Sequence, residues 1–344
     1  MVGLPRVGGG RNDRQVRRWG LTIPLPDISL PDHARVVAEA VAAGYTDLWS
    51  AEVNGSDAFT PLTLAAGWAP DARLGTAIVP VYTRGPALLA MSAAALAEVA
   101  PGRAVLGIGA SSPAIVAQWN GLDFAEPFAR TRDMLRFLRP ALAGETVDEQ
   151  YPTFRVRRFR LDRPPQQPPK LYLAALRPGM LRLAAAEADG AILNWLAASD
   201  VPTVTAELAG APDGFDVAAR IFVCPTADAA YARAVGKRLI TAYLTVGAYA
   251  EFHRWLGREP VLGPVWDAWA AGDRKGALAA VPDDLVDVLV LHGTPAQVRK
   301  QLDGYVAGGV RTPVLSLIPA PGTDLVAAVR ALGPATASEE ESWS

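Results

Sequence analysis

Residues 170–195 read KLYLAALRPGMLRLAAAEADGAILNW and contain one complete strand–helix–strand unit. The first run, KLYLAA, and the last, GAILNW, are almost continuously apolar, which is typical of strands buried on both faces of a parallel sheet. The segment between them opens near Pro178, a residue suited to a first helical turn, and ends at Gly190, where the next strand follows at once. This unit predicts a parallel sheet covered by helices.

The same unit recurs along the chain. Further apolar runs of this kind lie at residues 19–25, 46–50, 73–79, 103–109, 218–224 and 312–318. Helix signals separate them, as in the segment that opens with Thr294-Pro295 and closes on Gly308-Gly309. Eight strands alternating with helices predict an α/β fold of the (β/α)8 type, the TIM barrel. A doubly wound sheet is the alternative.

We predict a single barrel domain over residues 19–333, with a flexible leader (1–18) before it and an acidic tail (334–344) after it. Two links between predicted strands are unusually long, one between the fourth and fifth strands and one between the seventh and eighth. The second covers residues 226–311 and is expected to form a helical insertion. Loops of this length in a compact domain usually act as lids or added layers.

Composition excludes several classes of protein. The 33 Lys and Arg residues against 35 Asp and Glu give a net charge of −2, so no basic surface is expected to bind nucleic acid. The single Cys224 rules out a disulfide framework and fits a reducing cytosol. No apolar run reaches the roughly 18 residues that a membrane helix needs. The three histidines lack metal-ligand spacing, so no metal site is expected. Together these features predict a cytoplasmic protein that acts on a small molecule.

Active sites of TIM barrels lie at the carboxyl ends of the strands. Glu52 follows the second predicted strand, where its carboxylate could act as an acid or base or simply be a hydrogen-bonded loop residue. The loop at residues 107–112, GIGASS, is rich in amides and hydroxyls and suits a polar part of a cofactor. Arg177 opens a helix whose free N–H groups make it a candidate phosphate site, with an ordinary Pro-initiated helix as the alternative.

Four segments resemble the luciferase-like monooxygenase superfamily, specifically its branch of oxidoreductases dependent on the deazaflavin coenzyme F420. They are LWSAEVNGSDAFTPL (48–62), RLGTAIVPVYTRGP (73–86), VLGIGASSP (105–113) and the stretch at 174–195. The resemblance runs over residues 19–319 and implies hydride transfer between the coenzyme and a small organic substrate, in a homodimeric protein. An FMN-dependent monooxygenase of the same superfamily and a non-catalytic cofactor-binding barrel are the alternatives.

The resemblance also implies sites. A non-prolyl cis peptide at Ala77–Ile78 would press against the back of the deazaflavin ring, the loop after the fourth strand would line the ring, and the helix start at Arg177 would hold the coenzyme phosphate. The implied cofactor contacts are Ala77, Ile78, Val79, Gly107, Gly109, Ala110, Ser111, Arg177, Pro178, Gly179 and Met180. Glu52 is the candidate catalytic residue, and the expected substrate contacts are Asn54, Trp119, Asn194 and Trp195.

The sequence departs from the family's pattern after the second strand. Some members carry an Asp-His pair there, with the histidine near the reacting carbon, whereas this chain has Ala51-Glu52. A sugar-phosphate dehydrogenase that uses this histidine is therefore a poor guide to the substrate.

Overall fold

The computed structural model describes residues 18–334. The predicted leader and tail lie outside the described residues, apart from their boundary residues Arg18 and Pro334. The strands are β1 (Gly20–Thr22), β2 (Asp47–Ser50), β3 (Arg73–Thr76), β4 (Val79–Pro80), β5 (Ala104–Gly109), β6 (Val147–Gln150), β7 (Arg155–Phe159), β8 (Lys170–Ala174), β9 (Gly190–Asn194), β10 (Asp216–Cys224), β11 (Val290–His292) and β12 (Thr312–Leu317).

The α-helices cover the outside of the sheet and form the insertion. They are α1 (His33–Ala42), α2 (Phe59–Trp68), α3 (Pro86–Val99), α4 (Pro127–Leu142), α5 (Pro178–Glu187), α6 (Val201–Ala206), α7 (Ala229–Leu244), α8 (Gly247–Trp255), α9 (Glu259–Ala270), α10 (Arg274–Ala280), α11 (Asp283–Leu289), α12 (Pro295–Gly308) and α13 (Leu325–Ala331). A π-helical turn spans Ala114–Trp119.

Eight parallel strands close into a barrel, in the circular order β1, β2, β3, β5, β8, β9, β10, β12. Closure rests on the pairing of β12 with β1, where Val314 lies opposite Gly20. The predicted TIM barrel is thus confirmed, and the doubly wound alternative is wrong because an open sheet has two unpaired edges. Each of the eight predicted apolar runs overlaps one strand of the barrel, and β10 begins two residues before its run.

Three short strands in the long links were not predicted from the sequence. The link after β5 carries the antiparallel pair β6–β7, two short strands with mostly exposed and charged side chains. The link after β10 carries α7 to α11 and then β11, which pairs with the last three residues of β10 beyond the end of β9. Three residues give too short a pattern for a strand to be recognised.

The interior of the barrel is filled by side chains from alternate strand positions, because successive residues of a strand point to opposite faces. Trp49 fills the middle layer, together with the aromatic ring of Tyr172 at a centroid distance of 6.1 Å. Gly20 and Gly75 flank the indole ring, and a Cβ at Gly75 would lie 2.8 Å from Trp49 Cδ2. Ile192 and Val314 complete this apolar layer.

The layer below it, at the amino ends of the strands, is polar. The Arg73 guanidinium contacts the carboxylates of Asp47 and Asp216, with 2.7 Å from Nη1 to the Asp216 oxygen. It also donates to Tyr172 Oη at 2.9 Å and to Thr312 Oγ1 at 3.0 Å. Burial alone would lower the pKa of Arg73, but the two carboxylates have the larger effect and raise it. This network seals the bottom of the barrel and leaves the carboxyl ends as its mouth.

Candidate active site at the barrel mouth

A break in the third barrel strand shapes one side of the mouth. β3 ends at Thr76, the Ala77–Ile78 peptide bond is cis as the resemblance implies, and the strand resumes as β4. Where main-chain pairing stops, the Thr76 hydroxyl accepts from Gly107 N and donates to Gly107 O, both at 2.8 Å. Ala77 and Ile78 are left half-buried and pack on the interior cluster.

The neighbouring strands add almost no side chain to this side of the mouth. A Cβ at Gly109 would lie 2.8 Å from the Cβ of Ala174 and 3.4 Å from Ile78 Cγ1, so β4, β5 and β8 come together here only because position 109 is glycine. Ala110 and Ser111 follow, half-buried, with Ser111 in the left-handed region at φ 65°. The result is a low surface of main chain and small side chains.

The loop after β8 ends at a helix start on the same side of the barrel. Arg177 directly precedes α5, its carbonyl accepts from Met180 N and Leu181 N at 3.0 Å, and its side chain is exposed. Gly179 is exposed, and a Cβ there would meet only Phe128, at 3.8 Å. The predicted phosphate-site residues therefore lie together at an accessible, positively polarised helix start.

Glu52 lies on the loop that touches the break in β3, since its N–H donates to Ile78 O at 3.1 Å. Its carboxylate forms an ion pair with Arg84. Oε1 accepts from Arg84 Nε at 2.9 Å and Nη2 at 2.5 Å, and the Arg84 guanidinium lies 4.9 Å from the ring centroid of Phe59. The predicted acid–base role stays a prediction, but the ion pair gives Glu52 a clear alternative role in holding this loop.

The four expected substrate contacts fall in different environments. Asn194 ends β9 and its Nδ2 donates to Tyr249 Oη of α8 at 2.9 Å. Trp195 is 1% exposed and stacks on Phe222 with 4.2 Å between ring centroids, so in this structure its ring packs in the insertion core instead of facing the mouth. Trp119 is 55% exposed on the π-helical turn, and Asn54 is exposed on the loop after β2.

Sequence reasoning missed Arg220 and Tyr249. Arg220 lies on β10 two residues after Ala218, which fills the barrel interior, so it points into the same interior one layer nearer the mouth. Its Nη2 donates to Ser316 Oγ at 3.0 Å. A signal existed, because an arginine inside the apolar run AARIFVC is expensive to bury and therefore marks a special position. Tyr249 carried no such signal, since it is one aromatic residue among several in the insertion.

Burial raises the pKa of Tyr249 to about 12. Its hydroxyl is therefore protonated at neutral pH, and because it accepts from Asn194 it keeps its own proton available to donate. The contact also places α8 of the insertion against the end of β9, where it covers part of the mouth.

Residues 18–334 contain neither a cluster of metal-ligating side chains nor a membrane-spanning helix. No group of three or more His, Cys, Asp or Glu side chains in this range could hold a metal ion. Over the same residues, every helix is too short or too polar to cross a membrane.

Comparison with known proteins places this barrel among its relatives. The family model described as luciferase-like monooxygenase matches residues 5–312. This chain belongs to the luciferase-like monooxygenase family. A Mycobacterium tuberculosis member, named as a coenzyme F420-dependent oxidoreductase, is 30% identical over 340 residues, covering 88% of this chain and 93% of the relative.

Two further comparisons agree with this family assignment. A 5,10-methylenetetrahydromethanopterin reductase of Archaeoglobus fulgidus is 26% identical over 299 residues, covering 83% of this chain and 89% of the relative. The structure of the coenzyme F420-dependent tetrahydromethanopterin reductase of Methanopyrus kandleri superposes with a TM-score of 0.75 at 22% identity, covering 94% of this chain and 99% of that chain. At this identity, the structural match establishes the shared fold.

Proposed function

We propose that this luciferase-like family member is an oxidoreductase that uses coenzyme F420 to transfer a hydride to or from a small organic substrate. The supporting relative is the M. tuberculosis protein named as F420-dependent, which matches nearly the whole chain. One structural observation carries the proposal. A surface with few side chains, at Gly109 of β5, lies beside the helix start that follows β8 and is preceded by the exposed Arg177.

The residues present suit the coenzyme. A planar ring system needs a surface without protruding side chains, and Ile78, Gly109 and Ala174 provide one across neighbouring strands. An ionised phosphate needs hydrogen-bond donors and positive charge, which Arg177 and the first turn of α5 offer. When bound, the deazaflavin supplies the carbon that accepts or donates the hydride.

The protein's own task is then to position the two reactants and exclude water. The surface around Gly109 orients the coenzyme ring, and Arg177 to Met180 fix its phosphate end. Asn194, at the end of β9 next to β8, and its partner Tyr249 bind the substrate, with the Tyr249 hydroxyl able to donate a hydrogen bond to a substrate oxygen. The homodimer and the cytoplasmic location expected from the sequence stay predictions.

Fluorescence titration tests the proposal. The purified protein is titrated with F420 and, in parallel, with FMN, and we expect saturable binding of F420 at least about tenfold tighter than that of FMN, a difference of 1.4 kcal/mol. Arg177→Gln removes the exposed cation of the phosphate site and should weaken F420 binding. Arg182→Gln is the matched control, because Arg182 lies on the same helix but is 70% exposed and paired with Glu207.

The alternatives predict different results. Preference for FMN would reject the F420 assignment in favour of an FMN-dependent monooxygenase. F420 binding without oxidation of the reduced coenzyme by any acceptor in a panel of ketones, aldehydes and imines would instead indicate a non-catalytic cofactor-binding barrel. Equal effects of the Arg177 and Arg182 variants would remove the phosphate site from the proposal while leaving the oxidoreductase assignment standing.

A further inference from the structure

Arg220 is a cation inside the barrel whose charge is not matched by a carboxylate. Within residues 18–334, it donates a hydrogen bond to the Ser316 hydroxyl at 3.0 Å, and its guanidinium carbon lies 4.8 Å from the ring centroid of Phe222. Its Nε atom is buried and has no hydrogen-bond partner. The Nε side of this guanidinium has therefore given up water without gaining an anion.

Three other arginines that reach into the folded interior are paired with carboxylates. Arg73 contacts two carboxylates, Arg84 pairs with Glu52, and Arg258 pairs with Asp200 at 2.8 Å. Each of these pairs offsets the cost of removing charge from water. Like Arg220, Arg130 is half-buried without an ion pair in the described part of the chain, but it donates to the main-chain oxygens of Val81 and Thr153. Within residues 18–334, Arg220 has instead a single hydrogen bond, to the Ser316 hydroxyl near the carboxyl end of β10.

The position of Arg220 separates it from the proposed coenzyme surface. In the circular order of barrel strands, β10 is four strands away from β3 in either direction and so lies across the barrel from the break at Ala77–Ile78. The Cα of Arg220 is paired with that of Asn194 on β9. A ring that rests on the β3–β5–β8 side would therefore face Arg220 across the space left for the substrate.

Other polar atoms on the β9, β10 and β1 side also lack partners. Asn194 Oδ1 and Thr22 Oγ1 are buried with no hydrogen-bond partner in the described part of the chain. Thr22 follows Gly20 by two residues on β1 and so shares its inward direction. Together with Arg220 Nε, these atoms form a polar half of the mouth that faces the apolar, side-chain-poor half.

We propose that Arg220 binds a carboxylate of the substrate, which makes the enzyme selective for small organic acids or keto acids over neutral molecules of the same shape. The planar guanidinium fork matches a carboxylate in two parallel hydrogen bonds. A single positive charge balances one carboxylate, whereas a phosphate would call for a second cation, and Arg84 is already paired with Glu52. This inference rests on the proposed function, since it assigns the substrate class of the same site.

The test uses monocarboxylates as probes. The protein saturated with F420 is titrated with a series from acetate to benzoate and with the matched amides from acetamide to benzamide, and binding is followed by coenzyme fluorescence and calorimetry. We expect at least one carboxylate to bind about tenfold tighter than its amide. Arg220→Gln should abolish this preference, Arg220→Lys should retain part of it, and Arg182→Gln should leave it unchanged.

Three results would overturn the proposal. They are the absence of any preference for carboxylates in the parent protein, an unchanged preference in the Arg220→Gln variant, and a loss of F420 affinity in that variant equal to the loss of carboxylate affinity. The last result would assign Arg220 to the coenzyme. The series is also run on the protein without coenzyme, so that failure of F420 to bind the parent, which would reject the proposed function, is seen separately from loss of the carboxylate preference.

Discussion

A carboxylate at the end of a barrel strand is an obvious candidate for acid–base catalysis, and Glu52 shows how a neighbour changes its chemistry. Arg84 donates to the same oxygen from two nitrogens, so this oxygen of Glu52 is already engaged by a guanidinium. Because Glu52 N also bonds Ile78 O, the pair holds the loop after β2 against the proposed coenzyme surface. We therefore favour a positioning role.

The two roles can be separated by a double-mutant cycle on Glu52 and Arg84. If the pair positions the loop, Glu52→Gln and Arg84→Gln should weaken F420 binding by similar factors of about ten, and the double variant should be no weaker than either. If Glu52 is instead an acid or base, Glu52→Gln alone should abolish turnover while F420 affinity stays at the parental value. Dissociation constants from fluorescence titration and the pH profile of turnover provide the readouts.

At the scale of the element, strand spacing in the barrel depends on the fit between one tryptophan and two glycines. Trp49 of β2 projects between Gly20 of β1 and Gly75 of β3, where neither neighbour has a side chain. Interiors are packed so closely that one added methyl group is felt. The glycine in RLGTAIV is thus explained by its cross-strand neighbour and not by an unusual backbone angle.

Gly75→Ala should lower the free energy of unfolding by about 1–3 kcal/mol, because the new Cβ overlaps the Trp49 ring and the barrel must shift. Gly67→Ala is the matched control: Gly67 lies within α2, a Cβ there meets nothing within 4 Å, and alanine favours the helix by roughly 0.5–1 kcal/mol. Urea unfolding measures both. A Gly75 variant as stable as the parent would show that the indole ring can move aside.

At the scale of the whole molecule, the barrel separates stability from chemistry along its axis. The amino-terminal end is closed by Arg73, whose partners come from β2, β8, β10 and β12. The middle is apolar, and the carboxyl-terminal end holds polar atoms without partners. Side chains that satisfy one another stabilise the fold, whereas those left unsatisfied remain available to a ligand.

Removing Arg73 should be costly because two buried carboxylates would lose their counter-charge. We expect Arg73→Met to lower the free energy of unfolding by about 3–5 kcal/mol. Arg136→Met is the control, because Arg136 donates to the Glu187 carboxylate from two nitrogens but is 52% exposed. Its loss should lower the free energy of unfolding by no more than about 1 kcal/mol. Similar losses in the two variants, measured by urea unfolding, would contradict the sealing role of Arg73.

Much of the fold was predictable from local patterns. Continuous apolar runs indicated the eight barrel strands, and the Thr294 capping signal with Gly309 after the helix correctly bounded α12, where Gly309 adopts φ 119°. These features depend on neighbours in the chain and so leave a trace in it. β11 has no such local signal. Its three residues form a strand because β10 extends beyond the end of β9 and leaves an edge with which β11 can pair.

The site was predictable only in part, for a related reason. Strand-end position brought Ala77, Gly109, Arg177 and Asn194 to the mouth, because parallel strands end at one edge of the sheet. Whether a side chain there is paired or free depends on partners distant in sequence. Arg84 lies 32 residues from Glu52, and Tyr249 lies 55 residues from Asn194. The chain's local chemistry thus specified which residues reach the mouth, and three-dimensional packing selected which of them keep an unsatisfied atom for a ligand.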